Sequence, residues 1–257
     1  MCRHLAYLGP PVTLADLVLH QPHSLFRQSF APTDMRGGGI VNADGFGIGW
    51  LVGKAGDPGD PGVARRYRRD VPIWSDTSLP HLAASVSSGA ILAAVRNASP
   101  GMPVTDTACA PFVEGAWMFS HNGVVRGWPA SVAPLADGLP VADLMTLEAP
   151  TDSAFLWALV RQQLRQGQPA AISLALVVDG VMALAPRSRL NLLLHDGLHI
   201  AATTVGDSLW VHAGEASVTV SSEPLDRGQP WQEVPDLSLL EATAAGYSIQ
   251  PLDQGWA

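Results

Sequence analysis

Apolar residues recur along this chain in short runs, many alternating with polar ones, and most runs close on Gly, Pro, Asp or Asn. That pattern predicts strands more often than helices. Residues 3–9 read as a strand ended by Pro10-Pro11, and residues 46–52 as another. Residues 63–69 pair back across the Gly- and Pro-rich loop at 53–62 as a hairpin arm. Further strands are expected at 90–96, 117–121, 172–178, 190–195, 198–204, 209–211 and 218–221. Asn122-Gly123, Asp179-Gly180, Asp196-Gly197 and Gly206-Asp207 read as turns between them.

Helical spacing is sparser. Thr13-Leu14-Ala15-Asp16 resembles a capping box and opens a short helix through Val18, while residues 79–88 form a second. The clearest helix covers 152–168, where Phe155, Leu156, Leu159, Val160 and Leu164 repeat at helical intervals and Gly167 closes the run. Residues 127–150, rich in Pro, Gly and Ala, read as a surface excursion. The whole predicts an α+β fold of antiparallel sheets in one domain, 1–257, with the segment after about 226 the least assigned.

Composition narrows the function. With 47% apolar and 15% charged residues over 257 positions, the chain has ample core and no disordered character. A net charge of −8 argues against a nucleic-acid partner, and Arg65-Arg66-Tyr67-Arg68-Arg69 reads as the exposed face of a strand. The longest apolar run, 170–178, is about half of the ~18 residues that span a bilayer. Pro10-Pro11 and Asp16 interrupt any signal-like segment, so a cytoplasmic protein without a membrane partner is expected. The eight histidines show no metal-ligand spacing, and neither metal nor cofactor is expected.

Candidate chemistry begins at Cys2. Removal of Met1 would place a thiol and a free α-amine on one residue, a nucleophile with its own base. The alternative is an incidental thiol. The alternating Gly45, Gly47 and Gly49 clear one strand face for a neighbouring backbone or for a ligand. Arg96, ending an apolar strand, suits a carboxylate held bidentately or a structural ion pair. In Ser120-His121-Asn122-Gly123, an amide side chain and a backbone N–H are a turn or a pair of oxyanion donors. Asp152 in Thr151-Asp152-Ser153 either favours a helix N-terminus or receives an ammonium group. No Gly-x-Ser-x-Gly elbow supports a serine hydrolase.

Taken in order, the early Cys, Asn42-Ala43-Asp44-Gly45, the strand-end Arg, Ser-His-Asn-Gly and Thr-Asp-Ser resemble the class II, N-terminal-nucleophile glutamine amidotransferases. Residues 1–9, 92–96, 190–194, 202–204 and 222–226 bring the chain nearest to the stand-alone amidohydrolases of ergothioneine biosynthesis in that family. The resemblance implies a four-layer αββα sandwich. It implies Cys2 as nucleophile, Asn122 and Gly123 as oxyanion hole, and Arg96 and Asp152 as holders of the glutamyl carboxylate and ammonium. Ser99 and His121 would add contacts to the substrate. Where family members often carry Trp-Ala-Thr-His after the Arg, this chain has Asn97-Ala98-Ser99-Pro100, which passes the Thr role to Ser99 and leaves the His without a counterpart. The implied substrate is the small molecule γ-glutamyl-hercynylcysteine sulfoxide, whose trimethylammonium end would suit Trp50, Trp74 or Trp117 by cation–π contact. Another γ-glutamyl amidase or glutaminase of this fold, or a non-catalytic binding protein, are the alternatives.

Overall fold

Strands buried on both faces make up the sheets of the computed structural model, which describes residues 2–35, 41–53 and 62–252. Met1, the glycines at 37–39 and the loop tip at 54–61 lie outside the described residues. In β1 (Arg3–Thr13), Leu5 and Tyr7 face one way, with Ala6 and Leu8 the other. Two short helices follow, α1 (Leu14–Val18) and α2 (Leu25–Gln28). Next come β2 (Phe46–Val52), β3 (Val63–Arg69), α3 (Leu79–Ser85) and β4 (Ser87–Val95). After them run β5 (Phe112–Glu114), β6 (Trp117–Val124), α4 (Val141–Met145), α5 (Asp152–Arg165) and α6 (Ala170–Leu184). The chain then adds β7 (Arg189–His195), β8 (Ile200–Thr204), β9 (Trp210–Ala213) and β10 (Val218–Ser221). Last are β11 (Gln232–Glu233), β12 (Ser238–Thr243) and β13 (Gly246–Pro251).

These strands make two antiparallel sheets, in the orders β11-β9-β10-β1-β4-β2-β3 and β13-β12-β8-β7-β6-β5. Three apolar layers hold them. Leu5, Ile91, Ala93 and Val95 pack under α1 and α3, while Ala6, Leu8, Leu92, Met118, Leu193 and Val220 fill the space between the sheets. Leu192, Leu194, Phe119 and Ala201 pack against α5 and α6. Helix, sheet, sheet, helix is the four-layer αββα sandwich. Large aliphatic residues on both faces of one strand, as in Leu192-Leu193-Leu194, follow from burial on both sides.

Several expectations change. Residues 172–178 lie in α6 rather than in a strand, and Asp179-Gly180 continues that helix instead of turning. Asn122-Gly123 is not a turn: both residues stay in β6, opposite Asn191 and Leu190. Pro10-Pro11 does not end β1, which runs on to Thr13 with a register irregularity between Leu8 and Val12. Residues 86–88 are extended, Val86 closing the helix at 79–85 and Ser87 opening β4. The stretch 127–150 is not merely superficial, because Val132 and Leu139 are buried in the layer that holds α5 and α6. Segments after 226 supply β11 to the first sheet and β12–β13 to the second.

The alternating glycines meet the 109–111 segment. A Cβ on Gly47 would collide with the Ala110 carbonyl, and one on Gly49 would lie 2.7 Å from Pro111 Cγ. The basic cluster on β3 is partly paired: Arg66 chelates Glu148 at 2.7–2.8 Å, and Arg68 reaches the same carboxylate at 2.9 Å.

Candidate active site

Antiparallel pairing decides what stands together. Arg3 on β1 lies opposite Val95 on β4, so Cys2 and Arg96, one residue beyond each, emerge side by side at one end of the first sheet. Cys2 is half-buried, its sulfur 3.7 Å from the Asn97 carbonyl oxygen. Arg96 donates from its guanidinium to the Pro103 carbonyl at 2.8 Å, and its backbone N–H donates to the Gly45 carbonyl at 2.8 Å. The Asn42–Gly45 stretch ties in here too, as Asp44 Oδ2 accepts from the Ala98 N–H at 2.8 Å.

From the second sheet, β6 approaches with alternate faces. Met118 and Ser120 point between the sheets, where Ser120 Oγ lies 3.2 Å from His4 Nδ1. Period two puts Asn122 on that same face. It is 1% exposed, and among the described residues its Oδ1 finds no hydrogen-bond partner. A buried polar atom without a partner marks either strain or a place for chemistry. Phe119 and His121 face α5: Phe119 stacks on Trp157, and His121 Nδ1 lies 3.0 Å from Ser153 Oγ. His121 Nε2 is 3.0 Å from the Arg189 carbonyl and donates there. At Gly123 only glycine fits, because a Cβ would collide with the Arg189 carbonyl and sit 2.6 Å from His121 Nε2.

Thr151 caps α5, accepting the Ala154 N–H at 3.2 Å, and so presents Asp152 in the first turn. The Asp152 carboxylate is buried. Oδ1 accepts the Ser153 N–H at 2.8 Å and Oδ2 accepts the Val125 N–H at 3.0 Å, lacing α5 to the end of β6. Each oxygen keeps lone-pair capacity for a further donor.

A cleft at the sheet ends brings together Cys2, Arg96, His121 and Ser153, with Phe46 and Phe112 as apolar walls. Its free volume is about 30 Å³. Asn122, Gly123, Asp152 and Ser99 are not among its lining residues, and Ser99 sits on a half-buried turn closed by the Met102 N–H. None of the three tryptophans lines it: Trp50 packs under the helices, Trp74 lies edge-on to Phe30, and Trp117 borders a separate groove of about 740 Å³. Sequence reading missed Ser153 and Cys109 as lining residues. Cys109 has no signal in the sequence, since only the fold carries it onto the glycine face of β2. Burial pushes its thiol up to about 11, against the pull of Arg96 and Arg68.

Similarity to known proteins agrees with this geometry. The chain is 40% identical over 253 residues to the γ-glutamyl-hercynylcysteine sulfoxide hydrolase of Mycolicibacterium smegmatis, covering 98% of this chain and 100% of that protein. It is 37% identical over 254 residues to the enzyme of the same name from Mycobacterium tuberculosis, with 99% and 98% covered. The chain belongs to the γ-glutamyl-hercynylcysteine sulfoxide hydrolase family. Members of that family are amidohydrolases, and this chain is one. Solved structures place the fold. A glutamine aminotransferase class-II domain protein from Silicibacter pomeroyi superposes with a TM-score of 0.67 at 24% identity, over 98% of this chain and 99% of that one. Glutamine phosphoribosylpyrophosphate amidotransferase from B. subtilis gives 0.64 at 14%, over 99% of this chain and 50% of that one. No family model matches the chain. Among the described residues, no group of three or more His, Cys, Asp or Glu could hold a metal ion, and no helix is long and apolar enough to cross a membrane.

Proposed function

We propose that this hydrolase cleaves the γ-glutamyl amide of γ-glutamyl-hercynylcysteine sulfoxide, releasing glutamate and hercynylcysteine sulfoxide through a thioester on Cys2. The observation that carries the reading is the placement of Cys2 and Arg96 side by side on one cleft. Met1 is removed, and the Cys2 α-amine takes the thiol proton as sulfur attacks the γ-carbonyl. Asn122 and the Gly123 N–H stabilise the oxyanion. The collapsing intermediate expels the amine of the cysteine sulfoxide with a proton from the Cys2 ammonium, and water then splits the thioester to glutamate.

Arg96 holds the α-carboxylate of the glutamyl head and Asp152 its ammonium. Ser99 and His121 add contacts, the His121 ring being held between the Arg189 carbonyl and the Ser153 hydroxyl. The same reading takes residues 1–257 as one domain, working in the cytoplasm, where two free cysteines are at home. Glutamate release from the sulfoxide conjugate and from free glutamine tests the assignment. The conjugate should be the far better substrate, with no release by Cys2→Ala. Equal turnover of both would make the chain a general glutaminase.

A further inference from the structure

Beside Cys2 lies a buried charged cluster for which the proposed reaction has no use. Arg3 and Glu223 are 2% and 1% exposed and come from opposite ends of the chain. Arg3 Nε donates to Glu223 Oε1 at 2.9 Å. Glu223 Oε2 accepts from His23 Nε2 at 2.7 Å and from the Thr33 N–H at 2.7 Å. The other two guanidinium nitrogens reach carbonyls: one donates to the Cys2 carbonyl at 3.1 Å and one to that of Asp34.

A buried ion pair is a weak device for stability, because desolvation cancels much of its attraction. A guanidinium fork is a strong device for direction. The β1–β4 ladder begins at Arg3, so Cys2 lies one residue outside it. An N-terminal residue has chain on one side only. Its Cα is therefore located by the peptide plane through its own carbonyl, and Arg3 binds that carbonyl.

We propose that Arg3, held in place by Glu223, is a positioning residue that fixes the Cys2 peptide plane and so aims Cys2 Sγ at the γ-carbonyl. The proposal rests on Cys2 being the nucleophile. Burial by itself would raise the Glu223 carboxyl, but hydrogen bonds from His23 and Thr33, and the Arg3 charge, bring it down to about 2. The fork thus has an ionised anchor at any working pH.

The test compares two labels on Cys2, read by peptide mass, in wild type, Arg3→Lys and Glu223→Gln. A diazo-ketone glutamine analogue needs the sulfur aimed at a bound carbonyl; iodoacetamide needs only an accessible thiol. Both variants should lose about 10²-fold in analogue labelling and in kcat, the cost of a misplaced reacting atom. KM and the iodoacetamide rate should hold. His23→Ala keeps the proposal testable if those variants fail to fold, since His23 is at the solvent side of the cluster. It should show the same split, smaller in size. Wild-type labelling rates in folded variants, or equal losses with both reagents, would overturn the positioning role and leave Cys2 as nucleophile. A wild-type protein that the analogue never labels at Cys2 would overturn both.

Discussion

Cys109 lines the same cleft as Cys2, yet burial lifts its thiol to about 11 and leaves it 1% exposed. The thiolate is the reactive form, so at neutral pH the buried thiol is inert while half-buried Cys2 is accessible. Asn122 is the next residue by weight of argument, buried on the β6 face toward the first sheet, where its amide nitrogen is the group that could donate to an oxyanion. In Asn122→Ala, turnover of the sulfoxide conjugate should fall by ~10²–10³, the usual cost of one oxyanion donor. Labelling of Cys2 by the glutamine analogue should persist, only slower. Steady-state rates decide it, and an unchanged kcat would remove Asn122 from the mechanism.

Elements carry the site through caps and register. Thr151 caps α5 and thereby sets Asp152 and Ser153 against the end of β6. Thr151→Ala should cost about 1 kcal/mol of stability, read as a lower denaturant midpoint, and should raise KM through a loosened Asp152. Much of this level was legible in the sequence. The short runs at 46–52, 63–69 and 190–195 are strands, and the 3.6-residue spacing after Thr151 is α5. The failure at 172–178 has a physical cause. A run that is apolar but for Ser173 has no clear period to read, and α6 packs between sheet and helix so that nearly every turn is apolar. Asn122-Gly123 misled for a different reason. Asn-Gly usually turns a hairpin, but here Gly is needed because a carbonyl occupies the space of a Cβ, and the ladder to β7 runs straight through. Of the site, the residues near strand ends were readable as chemistry; the lining by Ser153 and Cys109 exists only once the sheets stack, and the reach of Glu223 to Arg3 only once β10 pairs with β1.

The whole molecule carries its pH dependence in buried groups. Burial, then the charges of His121 and Arg3, hold His4 down at about 3, and burial likewise lowers His195. The unfolded chain binds protons at these histidines near pH 6.5, whereas the folded one does not. Stability should therefore decline as pH falls below about 6.5. Glu223 has the same sign: its folded value of about 2 lies below the ordinary carboxylate range, so its contribution is full above about 4.5 and is lost toward 2. Thermal midpoints measured from pH 8 to pH 4 should drop steadily on the acid side, and a flat profile would contradict buried neutral histidines. The central claim is that Cys2, freed of Met1, carries the γ-glutamyl group. Intact-mass measurement of the protein, acid-quenched during turnover of γ-glutamyl-hercynylcysteine sulfoxide, tests it most directly. The account predicts a chain lacking Met1 and bearing one γ-glutamyl adduct, mapped to Cys2 and absent from Cys2→Ala; an active chain that keeps Met1, or an adduct that survives in Cys2→Ala, would contradict it.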